Sequence, residues 1–340
     1  MCRWFVYVSD TEECLLEDVL INPTHALTKQ VHDHYLPKLF SHDPSNITSA
    51  HEVSARNRLF NVDGFGVAWY TMARNEFNQS NGIRPALYKT SQPPTHDTNF
   101  QSICANTTTK ACFAHIRAAS STATISVNNH PFVFGRHAIM HNGVISDFTA
   151  IKRDMVHLLD DDSYANVNGA TDSEHLAALY ISHLTDRKGN TSWEKEYPVN
   201  KMEDALCTAI FDVLKIQKKV LGEEAEPNSL NVAVTDGSQV VAIRFRNHAI
   251  EQPPSLYWST SAGVTLNRKY PDHPNGEENP DAYKKTEEHG DHVIIASEPS
   301  TYKKEEWDLI PKNHILTVSK TGKVSVKEVQ YPTSWNAMMN

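Results

Sequence analysis

Residues 1–9 read Met-Cys-Arg-Trp-Phe-Val-Tyr-Val-Ser, and residues 10–16 continue Asp-Thr-Glu-Glu-Cys-Leu-Leu. The run 3–9 is β-branched and aromatic, which predicts a strand almost at the start of the chain. The residues after that strand separate the fold classes. A dinucleotide-binding α/β fold places Gly-x-Gly-x-x-Gly directly after its first strand, and no such motif stands here. Further strand patterns cover 64–72, 86–89, 111–117, 137–141, 257–260 and 292–296. Two hairpins are expected, 230–236 with 240–245 around Asp236-Gly237, and 315–319 with 323–329 around Thr321-Gly322. Helical patterns cover 12–21, 147–159 and 202–221, and one more helix starts at the capping box Thr171-Asp172-Ser173-Glu174. Most strands neighbour each other in sequence. The expected class is therefore α+β, with two antiparallel sheets face to face and helices over their outer faces.

Across 340 residues, 32 Lys plus Arg stand against 41 Asp plus Glu, a net charge of −9. That balance argues against a general binder of nucleic acid or of anionic membranes. No run approaches the ~18–20 apolar residues of a membrane span, and Trp4 to Val8 is too short for the ~7–15-residue core of a signal peptide. Five cysteines, odd in number and without a C-x-x-C pair, are expected as reduced thiols in the cytoplasm. The 18 histidines, among them His130, His137 and His141, form no H-E-x-x-H and no Cys/His ligand spacing, so neither a metal nor a cofactor is expected. Residues 28–60 read as loop with some helix, and 267–291 as a mobile surface loop rich in Pro, Glu, Lys and His.

Cys2 is the first residue with chemistry to offer. Loss of the initiator Met leaves a thiol and a free α-amine on one residue. A thiol of pKa ~8.5 is only a few per cent thiolate at pH 7 and benefits from an adjacent base. An α-amine near pKa ~7.9 is roughly one-tenth unprotonated there, whereas a lysine is about 300-fold less available. Acyl chemistry also needs oxyanion donors. The Asn142 amide and the Gly143 N–H fit that need, although Asn-Gly is equally an ordinary hairpin turn. Arg117 closes an apolar run and can grip a carboxylate through two parallel bonds, with Ser120 and Ser121 adding hydroxyls. Asp172 can accept from an ammonium group, or can simply suit the helix dipole. A carboxylate grip and an ammonium acceptor together describe the zwitterionic end of a free α-amino acid. The two glycines of Asn61-Val62-Asp63-Gly64-Phe65-Gly66 imply a positive φ or a close backbone approach.

Taken in order, Met-Cys-Arg, Asn-x-Asp-Gly-Phe-Gly, Ala-His-Ile-Arg-Ala-Ala-Ser, Asn-His-Pro-Phe, His-Asn-Gly and Thr-Asp-Ser-Glu resemble the class II, N-terminal-cysteine glutamine amidotransferases of the N-terminal-nucleophile hydrolase superfamily. Further likeness at 230–237 and 296–299 points toward the amidotransferase-like subunit of the fungal glutathione-degradation (DUG) complex. A bacterial γ-glutamyl hydrolase of ergothioneine synthesis shares the same set.

The resemblance implies a four-layer αββα sandwich over a single domain, 2–335. It assigns Cys2 as nucleophile, Asn142 and Gly143 as oxyanion hole, Arg117 and Ser120 to the substrate α-carboxylate, and Asp172 to its α-amino group. The residue after the clamp arginine is Trp in ammonia-channelling members, followed by Ala-Thr-His. Here the stretch is Ala118-Ala119-Ser120-Ser121, which implies room for a leaving group larger than ammonia. The expected activity is γ-glutamyl amide hydrolysis of glutathione beside a metallopeptidase-like partner subunit. The alternatives are a glutaminase feeding ammonia to a separate synthetase, a hydrolase of the ergothioneine type, and a non-catalytic scaffold.

Overall fold

The strand expected at the chain start forms over Arg3–Val8, and all six of its residues are buried. A segment buried on both faces must pair its backbone on both sides, and it does so against Val293–Ala296 and Ala111–Ile116. The computed structural model describes residues 2–31, 61–119, 122–266, 289–301 and 303–337. Of the expected loop at 28–60, the part from 32 onward lies outside the described residues, as does the expected mobile loop up to residue 288. Ser120 and Ser121 also lie outside them.

The chain divides into two compact units. The first comprises Met1–Pro131, Ser255–Ile310 and Lys320–Gly322, and the second Phe132–Pro254, Pro311–Ser319 and Lys323–Asn340. In the first, a seven-stranded antiparallel sheet runs Asp308–Leu309, Tyr257–Ser259, Val293–Ala296, Arg3–Val8, Ala111–Ile116, Phe65–Thr71, Arg84–Thr90. Phe5, Tyr7, Phe65, Val67 and Ile294 share one core with Leu16 and Leu20 of the helix Leu16–Leu20 and with Phe100 of the helix Thr98–Ala105. At ~1.5–3 kcal/mol for each fully buried large apolar side chain, that face is what holds the helices to the sheet.

The second unit carries a six-stranded antiparallel sheet in the order Val324–Glu328, His314–Val318, Val240–Arg246, Ser229–Thr235, His137–Val144, Phe132–Phe134. Both expected hairpins are present in it. Helices Asp172–Leu184 and Val199–Leu221 bury Leu176, Leu179, Met202, Leu206 and Ile210 against Val232, Val234, Ile243 and Phe245 of the sheet. Thr171 caps the first of these, its Oγ1 accepting from Glu174 N–H at 3.1 Å. The carboxylate of Glu174 accepts from the N–H groups of Asn168 and Gly169 at 3.0 and 2.6 Å, which fixes the entering chain. No helix among the described residues is long and apolar enough to cross a membrane.

Three local expectations change. The helix expected over 12–21 is only Leu16–Leu20, because Cys14–Leu15 pair as a short strand with Thr108–Thr109. The helix Thr98–Ala105 and the strand Phe132–Phe134 are additions. Asn142-Gly143 is not a turn. It lies within the strand His137–Val144, with Asn142 opposite Asn231 and Gly143 opposite Leu230.

Candidate active site

The candidate residues fall into two sets, one in each unit. In the first unit, Cys2 stands one residue ahead of the buried strand Arg3–Val8 and is half-buried. Its thiol donates to the Ala118 carbonyl at 3.6 Å, and its sulfur accepts from the Ala118 N–H at 3.4 Å. Burial pushes the thiol up from its ordinary value, and the Ala118 N–H, then the charges of Arg117 and Arg3, pull the other way. An amide N–H aimed at sulfur favours the thiolate.

Arg117 follows the strand Ala111–Ile116 and is 4% exposed. Its N–H donates to the Gly64 carbonyl at 2.8 Å. Its Nη1 donates to the Ala123 carbonyl at 3.0 Å and its Nη2 to Thr122 Oγ1 at 2.5 Å. The guanidinium therefore anchors Thr122 and Ala123. Asp63 grips the same stretch, accepting from Ala119 N–H at 2.8 Å and from Thr124 Oγ1 at 3.3 Å. Both expected glycine roles hold around the start of the strand Phe65–Thr71: Gly64 just before it has φ +117°, and a Cβ on Gly66 within it would lie 2.1 Å from the His130 carbonyl oxygen.

In the second unit, Asn142 is 1% exposed, and its Oδ1 has no hydrogen-bond partner among the described residues. A buried amide left with an unsatisfied end costs free energy that a folded protein normally recovers elsewhere. An amide carries an acceptor oxygen at one end and a donor NH2 at the other, and a half-turn of the Asn142 terminal torsion exchanges them, so the unpartnered position can receive the donor that an oxyanion would take. Gly143 has φ +149°, and a Cβ there would sit 1.8 Å from the Ser229 carbonyl oxygen. Gly143→Ala should therefore lose more than ~4 kcal/mol of stability, the range reserved for backbone clash and forbidden φ, as read from its denaturant midpoint. A variant within ~1 kcal/mol of the native protein would show that this strand relaxes freely.

Asp172 opens the helix Asp172–Leu184. Its Oδ2 accepts from Ile145 N–H and its Oδ1 from Ser173 N–H, both at 2.8 Å. It thus ties the chain two residues beyond Gly143 to the helix start. His141 completes the frame and is not one of the site residues expected from the sequence. Its Nδ1 meets Ser173 Oγ at 2.9 Å, and its Nε2 donates to the Ser229 carbonyl at 3.2 Å, the same carbonyl that faces Gly143. Burial holds the His141 imidazole below its ordinary pKa, against the opposing pull of Asp172. Its position immediately before Asn-Gly is the only signal that the sequence offers for it.

Comparison with known proteins places the chain in a family. The family model for class-II glutamine amidotransferases matches residues 46–250. A Saccharomyces cerevisiae protein described as probable glutamine amidotransferase DUG3 is 29% identical over 326 residues, 94% of this chain and 82% of that protein. Among solved structures, a class-II glutamine aminotransferase domain protein from Silicibacter pomeroyi superposes with TM-score 0.57 at 20% identity, covering 96% of this chain and 99% of that one. The glutamine phosphoribosylpyrophosphate amidotransferase of Bacillus subtilis gives 0.52 at 12% identity, over 96% of this chain and 49% of that one. These two share the α+β fold of this chain. The family match runs over more than half of the chain and takes in Arg117, Asn142, Gly143 and Asp172, so the chain belongs to the class-II glutamine amidotransferases, a family of amide-hydrolysing enzymes.

Proposed function

We propose that this chain is a γ-glutamyl amide hydrolase whose nucleophile is Cys2, freed of Met1, and whose substrate is glutathione. The sulfur attacks the γ-carbonyl carbon, and Asn142 with the Gly143 N–H takes the charge that develops on oxygen. The C–N bond then breaks, and cysteinylglycine leaves with a proton carried by the Cys2 α-amine. Water attacks the thioester, glutamate departs and the thiol is restored. Arg117 and Ser120 take the substrate α-carboxylate, and Asp172 its ammonium.

The observation that carries this reading is the contact between Cys2 Sγ and the Ala118 N–H at 3.4 Å. It supplies a donor for a thiolate, and the family resemblance sets Ala118, with only a methyl side chain, where ammonia-channelling members carry Trp. The likeness at 230–237 and 296–299 supports a protein partner of the metallopeptidase type. Five free thiols support a cytoplasmic setting. Incubation of the mature chain with glutathione and such a partner, followed by intact-mass measurement, should show loss of Met1 and a glutamyl adduct on Cys2. Glutamine turned over as well as glutathione would return the reading to a glutaminase, and an unreactive Cys2 would return it to a scaffold.

Arg117→Ala should lower kcat/KM for glutathione about 10- to 100-fold, the worth of a charge-assisted bond to a carboxylate. Because Arg117 also anchors Thr122 and Ala123, the comparison needs a substrate analogue without the α-carboxylate. On that analogue the native and variant proteins should converge. A loss of equal size on both substrates would remove Arg117 from carboxylate recognition.

A further inference from the structure

Cys2 lies just outside the ladder that orders its own strand. The register with Ala111–Ile116 begins at Arg3 opposite Ile116, and that with Val293–Ala296 begins only at Phe5 opposite Ala296. A nucleophile has to be held to within ~0.5 Å of its working position, so something beyond the ladder must fix this residue. Arg3 supplies the contact: its Nη1 donates to the Cys2 carbonyl at 3.1 Å, and its Nε donates to Glu298 Oε1 at 2.6 Å. Glu298 is 1% exposed, and its Oε2 lies 3.4 Å from Nε2 of the buried His25. His25 is fixed in turn, its Nδ1 lying 2.6 Å from the Pro299 carbonyl oxygen. Next door, Ser297 clasps Trp4 from both sides, its N–H donating to the Trp4 carbonyl and its Oγ accepting from the Trp4 N–H, each at 3.0 Å. Ser297 and Glu298 thus grip the chain immediately behind Cys2.

Burying such an ion pair is a poor way to gain stability, because a well-packed apolar pair usually does as well. Burial alone would raise the Glu298 pKa, yet Arg3 and then His25 bring it down to about 2, so it is a carboxylate throughout the neutral range. A guanidinium fork is suited to orientation: it holds two acceptors in fixed relative positions. We propose that Glu298, acting through Arg3, is a positioning residue for the nucleophile, fixing the Cys2 carbonyl and with it the direction of the sulfur. The inference rests on the reading of Cys2 as the nucleophile.

The test uses the full chain, with Met1 removal checked by intact mass, in Arg3→Lys, Glu298→Gln and the double variant Arg3→Met/Glu298→Gln. Two labels report on Cys2. The first is 6-diazo-5-oxo-norleucine, which resembles glutamine and loses dinitrogen as sulfur bonds to its methylene carbon. The second is iodoacetamide, which needs no substrate recognition. Arg3→Lys keeps the ion pair but loses the fork, so it should fold normally. In both single variants the maximal labelling rate should fall ~10- to 100-fold, the cost of a misplaced reacting group, with the half-saturating concentration changed less than about 3-fold. The double variant leaves neither Arg3 nor Glu298 as an unpaired charge, so its Tm should recover toward native while its labelling stays slow. Labelling that recovers along with Tm, or native labelling in Arg3→Lys, overturns the inference. If the native protein takes iodoacetamide at Cys2 but ignores the glutamine analogue, the γ-glutamyl reading fails. The iodoacetamide rates still decide the positioning role, slow variants supporting it and equal rates overturning it.

Discussion

Cys2→Ala should abolish hydrolysis of every γ-glutamyl substrate, a loss of ~10⁴-fold or more, as expected when the nucleophile of a covalent mechanism is removed. Its stability should stay within ~0.5 kcal/mol of native, because the side chain is half-buried and its only described bonds are the two weak ones to Ala118. An uncleaved N-terminal extension should cause the same loss, since it leaves the thiol in place and turns the α-amine into an amide with no basic lone pair. The pair of measurements separates nucleophile from base. An extended protein that still turns over, with its intact mass showing the extension present, would mean that another group takes the proton. A Cys2→Ala protein that still turns over would end the thioester mechanism altogether.

The parts of the fold legible in the sequence are those where local preference and burial agree. Arg3–Val8 is β-branched and aromatic and is buried throughout. Thr171 and the two hairpins announce themselves through capping and turn chemistry. Where distant pairing overrules local preference, the sequence misleads. Cys14–Leu15 look like the first turn of a helix, yet they pair with Thr108–Thr109, more than ninety residues away. Asn142-Gly143 has the composition of a turn, but pairing with Asn231 and Leu230 holds it in a strand. The helix Thr98–Ala105 combines weak helix formers, and it persists because Asp97 caps it and Phe100 is fully buried.

The site divides along the same line. Cys2, Arg117, Asn142, Gly143 and Asp172 can be proposed from sequence because each is a residue type suited to its proposed role, next to a cap, a strand end or a turn-like dipeptide. Their supports cannot. Nothing in residues 1–9 names Glu298 as the partner of Arg3, 295 residues on. Nor does anything near His141 name Ser229, whose carbonyl it holds. Such contacts are set by tertiary structure alone, which is why a motif can suggest candidate residues and leave out what holds them.

Asn142 offers the sharpest separation of stability from catalysis. Asn142→Ala should lower kcat about 10²- to 10³-fold, the measured worth of one oxyanion donor, with KM little changed because the donor acts on charge that develops only in the transition state. A residue that served the fold would lose stability at the same time. Here the opposite sign is expected, because Asn142 is 1% exposed and its Oδ1 is unpartnered among the described residues. Removing an unsatisfied buried polar group relieves a cost of ~1–3 kcal/mol, which offsets the packing lost on truncation. The variant should therefore melt at or above the native temperature while turning over poorly. Asn142→Asp sharpens the test, since a carboxylate keeps the shape but repels a developing oxyanion, and turnover should fall at least as far. A fall in kcat that tracks a fall in Tm would make Asn142 a structural residue, and near-native turnover in Asn142→Ala would move the oxyanion hole elsewhere. Inactivity in a protein as stable as native leaves transition-state stabilisation as the role of this side chain.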